Sequence, residues 1–246
     1  MDPLTTALLL LGIAVVAFLY SSVGHAGASG YIAVMSLAGM AAVTIRPTAL
    51  ILNILVATIG AFQFWRAGHF SWSLFWPFAL LSVPCAFLGG YVHLSSPILK
   101  PLLGVVLLFS AVRLFFRHSD PENLAAPSRP IALGVGAGIG FLSGLTGTGG
   151  GIFLTPLLLF CRWTYIRRAA AVSVVFILVN SIAGLTGYVS SGRPIPSSVW
   201  LFAIAAVLAG TLGSHFGSRR FPVRIISLLL ATVLVVAGLK LILTNP

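Results

Sequence analysis

Only three of the 246 residues are acidic, Asp2, Asp120 and Glu122, and all lie outside the long apolar runs. A span without a carboxylate has nothing to hold Na⁺, Ca²⁺ or another metal ion, and nothing to relay protons through an acid, so cation transport is disfavoured. No cofactor or metal is expected. Charge of either sign is scarce, at 7% of residues against 59% hydrophobic, which leaves no room for a soluble domain. The two cysteines, Cys85 and Cys161, are far apart and argue against a structural disulfide and against a zinc cluster. Met1-Asp2-Pro3 lacks a basic n-region, and no small-residue cleavage site precedes a soluble domain, so the first apolar segment is expected to be retained.

What remains is apolar sequence of membrane length from end to end, with mean hydropathy +1.10. The fold class expected is an all-α polytopic membrane protein. The net charge of +11 would suggest nucleic acid in a soluble chain. Here most Lys and Arg stand at the ends of apolar runs, which fits topology and anionic headgroups, with the lipid bilayer and not nucleic acid as partner.

Two stretches repeat one pattern. Ser22-Val23-Gly24-His25-Ala26-Gly27-Ala28-Ser29-Gly30 and Ser143-Gly144-Leu145-Thr146-Gly147-Thr148-Gly149-Gly150-Gly151 are glycine clusters inside apolar sequence. Aligned by eye, Gly24, Gly27 and Gly30 fall on Gly144, Gly147 and Gly150. Asn53 and Gly60 then answer to Asn180 and Gly187. The division expected is a first repeat over 1–118, a linker over 119–130 and a second repeat over 131–246. Residues 3–45 carry no charge, and as one helix they would extend about 64 Å, twice the hydrocarbon core of about 30 Å. The run must therefore enter and return, turning at the glycines. In the second copy, 131–142 and 152–161 are expected as half-helices. Three spans should follow each pair, at 48–65, 72–92 and 98–116, then at 169–189, 198–214 and 223–243. A re-entrant pair plus three spans gives an odd number of crossings, so the repeats are expected to be inverted. With the N-terminus outside, Arg66, Arg117, Arg129, Arg162, Arg167, Arg168, Arg219, Arg220 and Arg224 fall inside. Only Arg46, Lys100 and Arg193 fall outside, as the positive-inside rule requires.

Each glycine loop opens a short helix whose N-terminus offers free N–H groups and partial positive charge. Glycine lets a ligand approach that backbone closely. Two inverted copies would aim two such ends at one point, an anion site at mid-membrane. The residues expected to bind substrate are Gly24, His25, Gly27, Ser29, Gly30, Asn53, Thr146, Gly147, Thr148, Gly149, Gly150 and Asn180. His25 is the titratable group of the loops. Arg113 and Lys240, at similar places in the last span of each half, are candidates to add positive potential. A phosphate loop is excluded because no Gly-Lys-Ser/Thr follows either cluster.

The run Gly144-Leu145-Thr146-Gly147-Thr148-Gly149-Gly150-Gly151 with Thr155-Pro156-Leu157, the stretch Arg167-Arg168-Ala169-Ala170-Ala171-Val172-Ser173, and Asn180 resemble the TauE/SafE family of sulfite exporters. The first loop departs from the family pattern, having His25, Ala28 and Ser29, and Met35-Ser36 where the second copy has Pro156. The resemblance implies a non-enzymatic secondary transporter. It would move sulfite, sulfoacetate or another organosulfonate across the bacterial inner membrane. Two other classes remain: a passive anion channel, and a rhomboid-like intramembrane protease using Ser29 of Gly27-Ala28-Ser29-Gly30 with His93 or His215 as base.

Overall fold

A computed structural model of the chain describes residues 3–92, 124–197 and 199–222, with scattered positions at 108, 112 and between 224 and 239. Arg113, Lys240, Lys100, Arg117 and His93, the three acidic residues, and most of the spans expected at 98–116 and 223–243 lie outside the described residues.

The described chain is helical throughout. Its elements are α1 (Pro3–Ser22), α2 (Ala28–Leu37), α3 (Ala42–Arg66), α4 (Trp72–Tyr91), α5 (Arg129–Thr146), α6 (Gly151–Phe160), α7 (Ile166–Ser190) and α8 (Val199–Arg219). Four lengths recur in order. The first set is 20, 10, 25 and 20 residues, and the second is 18, 10, 25 and 21. Helices α1, α3, α4, α7 and α8 are long and apolar enough to cross a membrane. The first arm of the second pair is not the half-helix expected. Ser128, Arg129 and Pro130 start α5 inside the supposed linker, proline fitting the first turn, so only α2 and α6 are short.

Helices α3 and α7 run antiparallel. Along α3 and α7, the Tyr188 hydroxyl donates to the Val43 carbonyl (3.1 Å) and Asn53 Nδ2 to Ser181 Oγ (3.3 Å), while Gly60 faces Val174. The other long contacts are parallel and exchanged between halves. On α5, Gly136, Gly140 and Gly144 sit against the backbone of Phe78, Ser82 and Ala86 of α4. On α8, Gly213 and Gly217 sit against Phe18 and Ser22 of α1. Glycine at four-residue spacing lets each pair of backbones touch, which is the driving contact where lipid offers no hydrophobic advantage. The bundle turns the remaining apolar faces outward: Leu4, Leu8 and Leu11 on α1 and Ile204, Leu208 and Leu212 on α8 are all more than half exposed.

The arginines divide between two ends. Arg66, Arg129, Arg162, Arg167, Arg168, Arg219 and Arg220 stand at the end where α3, α6 and α8 finish and α4, α5 and α7 begin. That end is tied by the Ala125 N–H to the Arg162 carbonyl (3.1 Å), Arg167 Nη2 to the Phe221 carbonyl (2.7 Å) and the His69 Nε2–Ser218 carbonyl contact (3.0 Å). At the opposite end, Arg46 and Arg193 both lie over the ring of Tyr188, 5.6 and 4.3 Å from its centroid.

Candidate functional site

The chain turns at Val23–Gly27 between α1 and α2, and at Gly147–Gly150 between α5 and α6. Gly27 (φ 106°) and Gly150 (φ 80°) immediately precede the short helices, while Gly24 (φ 76°) and Gly147 (φ 77°) follow the long ones. All four occupy the left-handed region, which costs an L-residue roughly 1–2 kcal/mol. Conformation therefore pairs Gly24 with Gly147 and Gly27 with Gly150, three residues away from the register read by eye. Gly30 and Gly144 are helical, and their work is packing: Gly30 against Val16 and Tyr20, Gly144 against Ala86 and Gly90.

From the loops, α2 runs toward the arginine-poor end and α6 toward the arginine-rich end. Their N-termini meet the middles of α3 and α7. The Ala28 N–H donates to Asn53 Oδ1 (3.0 Å), whose Nδ2 donates to the Thr148 carbonyl (3.3 Å) and to Ser181 Oγ (3.3 Å). One fully buried amide thus holds both loops. His25 makes the reciprocal crossing, its Nε2 lying 3.0 Å from the Gly151 carbonyl and 2.9 Å from Thr155 Oγ1. Thr155 donates in turn to Ser173 Oγ (2.7 Å). Thr146 and Thr148 bond to each other (2.9 Å), and Thr146 also donates to the Leu142 carbonyl (2.7 Å). Ser29 Oγ donates to the Tyr20 hydroxyl (3.0 Å), a tie within the first pair.

Asn180 differs from Asn53. Its Oδ1 accepts from Ser82 Oγ (2.8 Å), but its Nδ2 is buried with no partner. Ser143 Oγ is in the same condition, and both residues have 0% exposure. Ser143 borders the start of α6, and Asn180 stands one helical turn along α7 from Phe176, which also borders it. A Cβ on Gly150 would lie 3.2 Å from Ser143 Cβ and 3.0 Å from Phe176 Cε1, one turn before Asn180 on α7. The Phe153 and Leu154 N–H groups bond the Gly150 carbonyl (3.0 and 3.1 Å), which leaves those of Gly151 and Ile152 without a partner within the helix. An unpaired buried donor costs about 1–3 kcal/mol.

A cation also stands at the second loop. Arg46 Nη2 donates to the Gly89 (2.9 Å), Gly90 (3.1 Å) and Gly144 (2.5 Å) carbonyls, capping the negative ends of α4 and α5. Its stem packs on Gly147, where a Cβ would lie 3.0 Å from Arg46 Cγ. Arg46 served in the sequence only as a marker of sidedness. Ser143, Thr155 and Ser173 stand in the sequence only as members of the quoted motifs, and Ser82 and Ser181 lie outside them. The available signal was their place as hydroxyls in the middle of otherwise apolar helices.

The profile of the family described as "Sulfite exporter TauE/SafE" matches residues 8–241. The "Probable membrane transporter protein y4hK" of Sinorhizobium fredii is 42% identical over 235 residues, covering 93% of this chain and 94% of its own. The "Probable membrane transporter protein MJ0441" of Methanocaldococcus jannaschii is 28% identical, covering 80% of this chain and 78% of its own. "Probable membrane transporter protein YjnA" of Bacillus subtilis is 27% identical, covering 79% and 83%. No solved structure matches the chain.

Proposed function

Because this chain belongs to the TauE/SafE family of sulfite exporters, and is a multi-pass membrane transporter, we propose that it carries small sulfur-containing oxyanions across the bacterial inner membrane. Sulfite, sulfoacetate or another organosulfonate is the cargo. The observation that carries this reading is the pair of buried, unpartnered donors, Asn180 Nδ2 and Ser143 Oγ, on the two helices that border the N-terminus of α6. An oxyanion there accepts from both and from the first N–H groups of the helix, whose dipole favours negative charge. Arg46 adds positive potential at the neighbouring loop, and neutral donors in direct contact let the ligand leave again. The two repeats, 1–118 and 131–246, face opposite ways about the site, as alternating access requires. The arginine-rich end is cytoplasmic.

Binding of sulfite, thiosulfate, sulfoacetate, sulfate and a carboxylate control to purified protein tests the reading. Sulfur oxyanions should bind and the carboxylate should not. A hydrogen bond to a charged acceptor contributes about 1.5–3 kcal/mol, so Asn180→Ala should weaken binding by about ten- to a hundredfold. Equal affinity for the carboxylate, or unchanged sulfonate affinity in Asn180→Ala, would overturn it.

A further inference from the structure

His25 is buried at 2% exposure where the first loop meets the first turn of α6. Its tautomer is dictated by its neighbours. The Gly151 carbonyl can only accept, and Thr155 Oγ1, having given its proton to Ser173 Oγ, is also left to accept. Nε2 therefore carries the hydrogen, and Nδ1 is a bare lone pair. That atom is buried and has no partner.

We propose that Nδ1 of His25 is the binding site of a proton that travels with the anion. The inference rests on the anion reading above. A proton at Nδ1 puts a full positive charge on a ring bonded to Gly151, the residue whose N–H opens the anion-binding end of α6. The charged ring therefore favours an anion there, and by linkage the anion favours the proton to the same degree. The chain offers no acidic competitor within its spans. The groups that face the ring do not titrate in the range concerned. From α1 comes Tyr20, its ring 6.4 Å away, and from α2 Tyr31, which donates to the Ala26 carbonyl (2.7 Å); both are neutral phenols in this range. From α6 and α7 come the hydroxyls of Thr155 and Ser173. The nearest cations in sequence on α7, Arg167 and Arg168, stand at its arginine-rich start, and Arg167 is turned to the Phe221 carbonyl.

The test uses a simple alkyl sulfonate, a strong-acid anion whose own charge is constant, where sulfite would itself titrate. In weakly buffered solution with a pH-indicating dye, its addition to the purified protein should take protons up. Affinity should rise on the order of 5–150-fold between pH 8 and pH 5.5. His25→Gln, which keeps a donor for Gly151, should bind without proton uptake and with a flat pH profile. Proteoliposomes of the unaltered protein give an independent readout, since a pH gradient alone should drive sulfonate toward the alkaline side. Binding without proton uptake, or an unchanged pH profile in His25→Gln, overturns the proton site and leaves the anion site standing. Absence of any sulfonate binding removes both.

Discussion

At the scale of single residues, the two intramembrane asparagines look equivalent in sequence and are not. Asn53 spends its amide on the Ala28 N–H, the Thr148 carbonyl and Ser181 Oγ, so its role is to fasten the loops. Asn53→Ala strands a buried N–H and removes those bonds, at about 1–3 kcal/mol for the orphan and about 0.5–1.5 kcal/mol for each neutral bond. Its melting temperature should fall by several degrees. Asn180→Ala loses one bond from Ser82 and should melt closer to the unaltered protein while binding sulfonate poorly. Differential scanning fluorimetry alongside titration separates the two, and an Asn180 variant that melts lower than the Asn53 variant would contradict the assignment. The sequence made both asparagines visible because a polar side chain deep in an apolar run needs a reason. It could not divide their roles, since that depends on which neighbours use up the donors. Ser82 and Ser143 escaped for a related cause. A lone serine in an apolar helix normally bonds its own backbone, as Ser214 does, and nothing local distinguishes one that does not.

At the scale of elements, α5 shows which glycines matter. Added Cβ atoms at Gly136, Gly140 and Gly144 would run into the backbone of α4, whereas at Gly134 and Gly138 nothing lies within 4 Å. Gly140→Ala should therefore cost about 1–3 kcal/mol through overpacking. Gly134→Ala and Gly138→Ala should be neutral or stabilise by up to about 1 kcal/mol, because alanine is the better helix former. Thermal unfolding of the three variants checks the order; equal effects would mean that α4 and α5 do not touch along this stripe. Helix existence was legible because charge is confined to span ends. Helices α3, α4, α7 and α8 fall where expected, with α3 and α7 extended by a few residues at their N-terminal ends and α8 at its C-terminal end. Register was less legible. A helical glycine and a loop glycine are the same letter, so Gly30 and Gly144 were drawn into an alignment that left-handed conformation assigns to Gly24, Gly27, Gly147 and Gly150. The length of α5 was missed because Ser143 and Gly144 open the glycine cluster and were read with it as loop, whereas Gly144 is helical and packs on α4.

At the scale of the whole molecule, the halves are interlocked and not merely adjacent. Helix α4 of the first packs on α5 of the second, and α8 of the second on α1 of the first, with the antiparallel α3 and α7 between them. This exchange leaves no trace in composition, since glycine stripes do not name their partners. It does fix where the connecting segments lie. Helix α1 runs parallel to α8, so residue 3 shares the arginine-poor end with residues 191–197, and the 67–71 turn shares the arginine-rich end with residues 161–165. On the positive-inside rule, residue 3 and the 191–197 segment are expected outside and the 67–71 turn inside. Single cysteines in a cysteine-free background, labelled in intact cells with a membrane-impermeant maleimide, should react at residue 1 and at residue 194 and not at residue 68. The last span expected at 223–243 would carry residue 246 outside as well. The decisive comparison is residue 1 against residue 68. If α1 and α2 together crossed once and did not return, the single crossing of α3 would bring residue 68 back to the side of residue 1. Labelling of both from outside would then dissolve the re-entrant pair and, with it, the mid-membrane meeting of the two short helices on which the anion site depends.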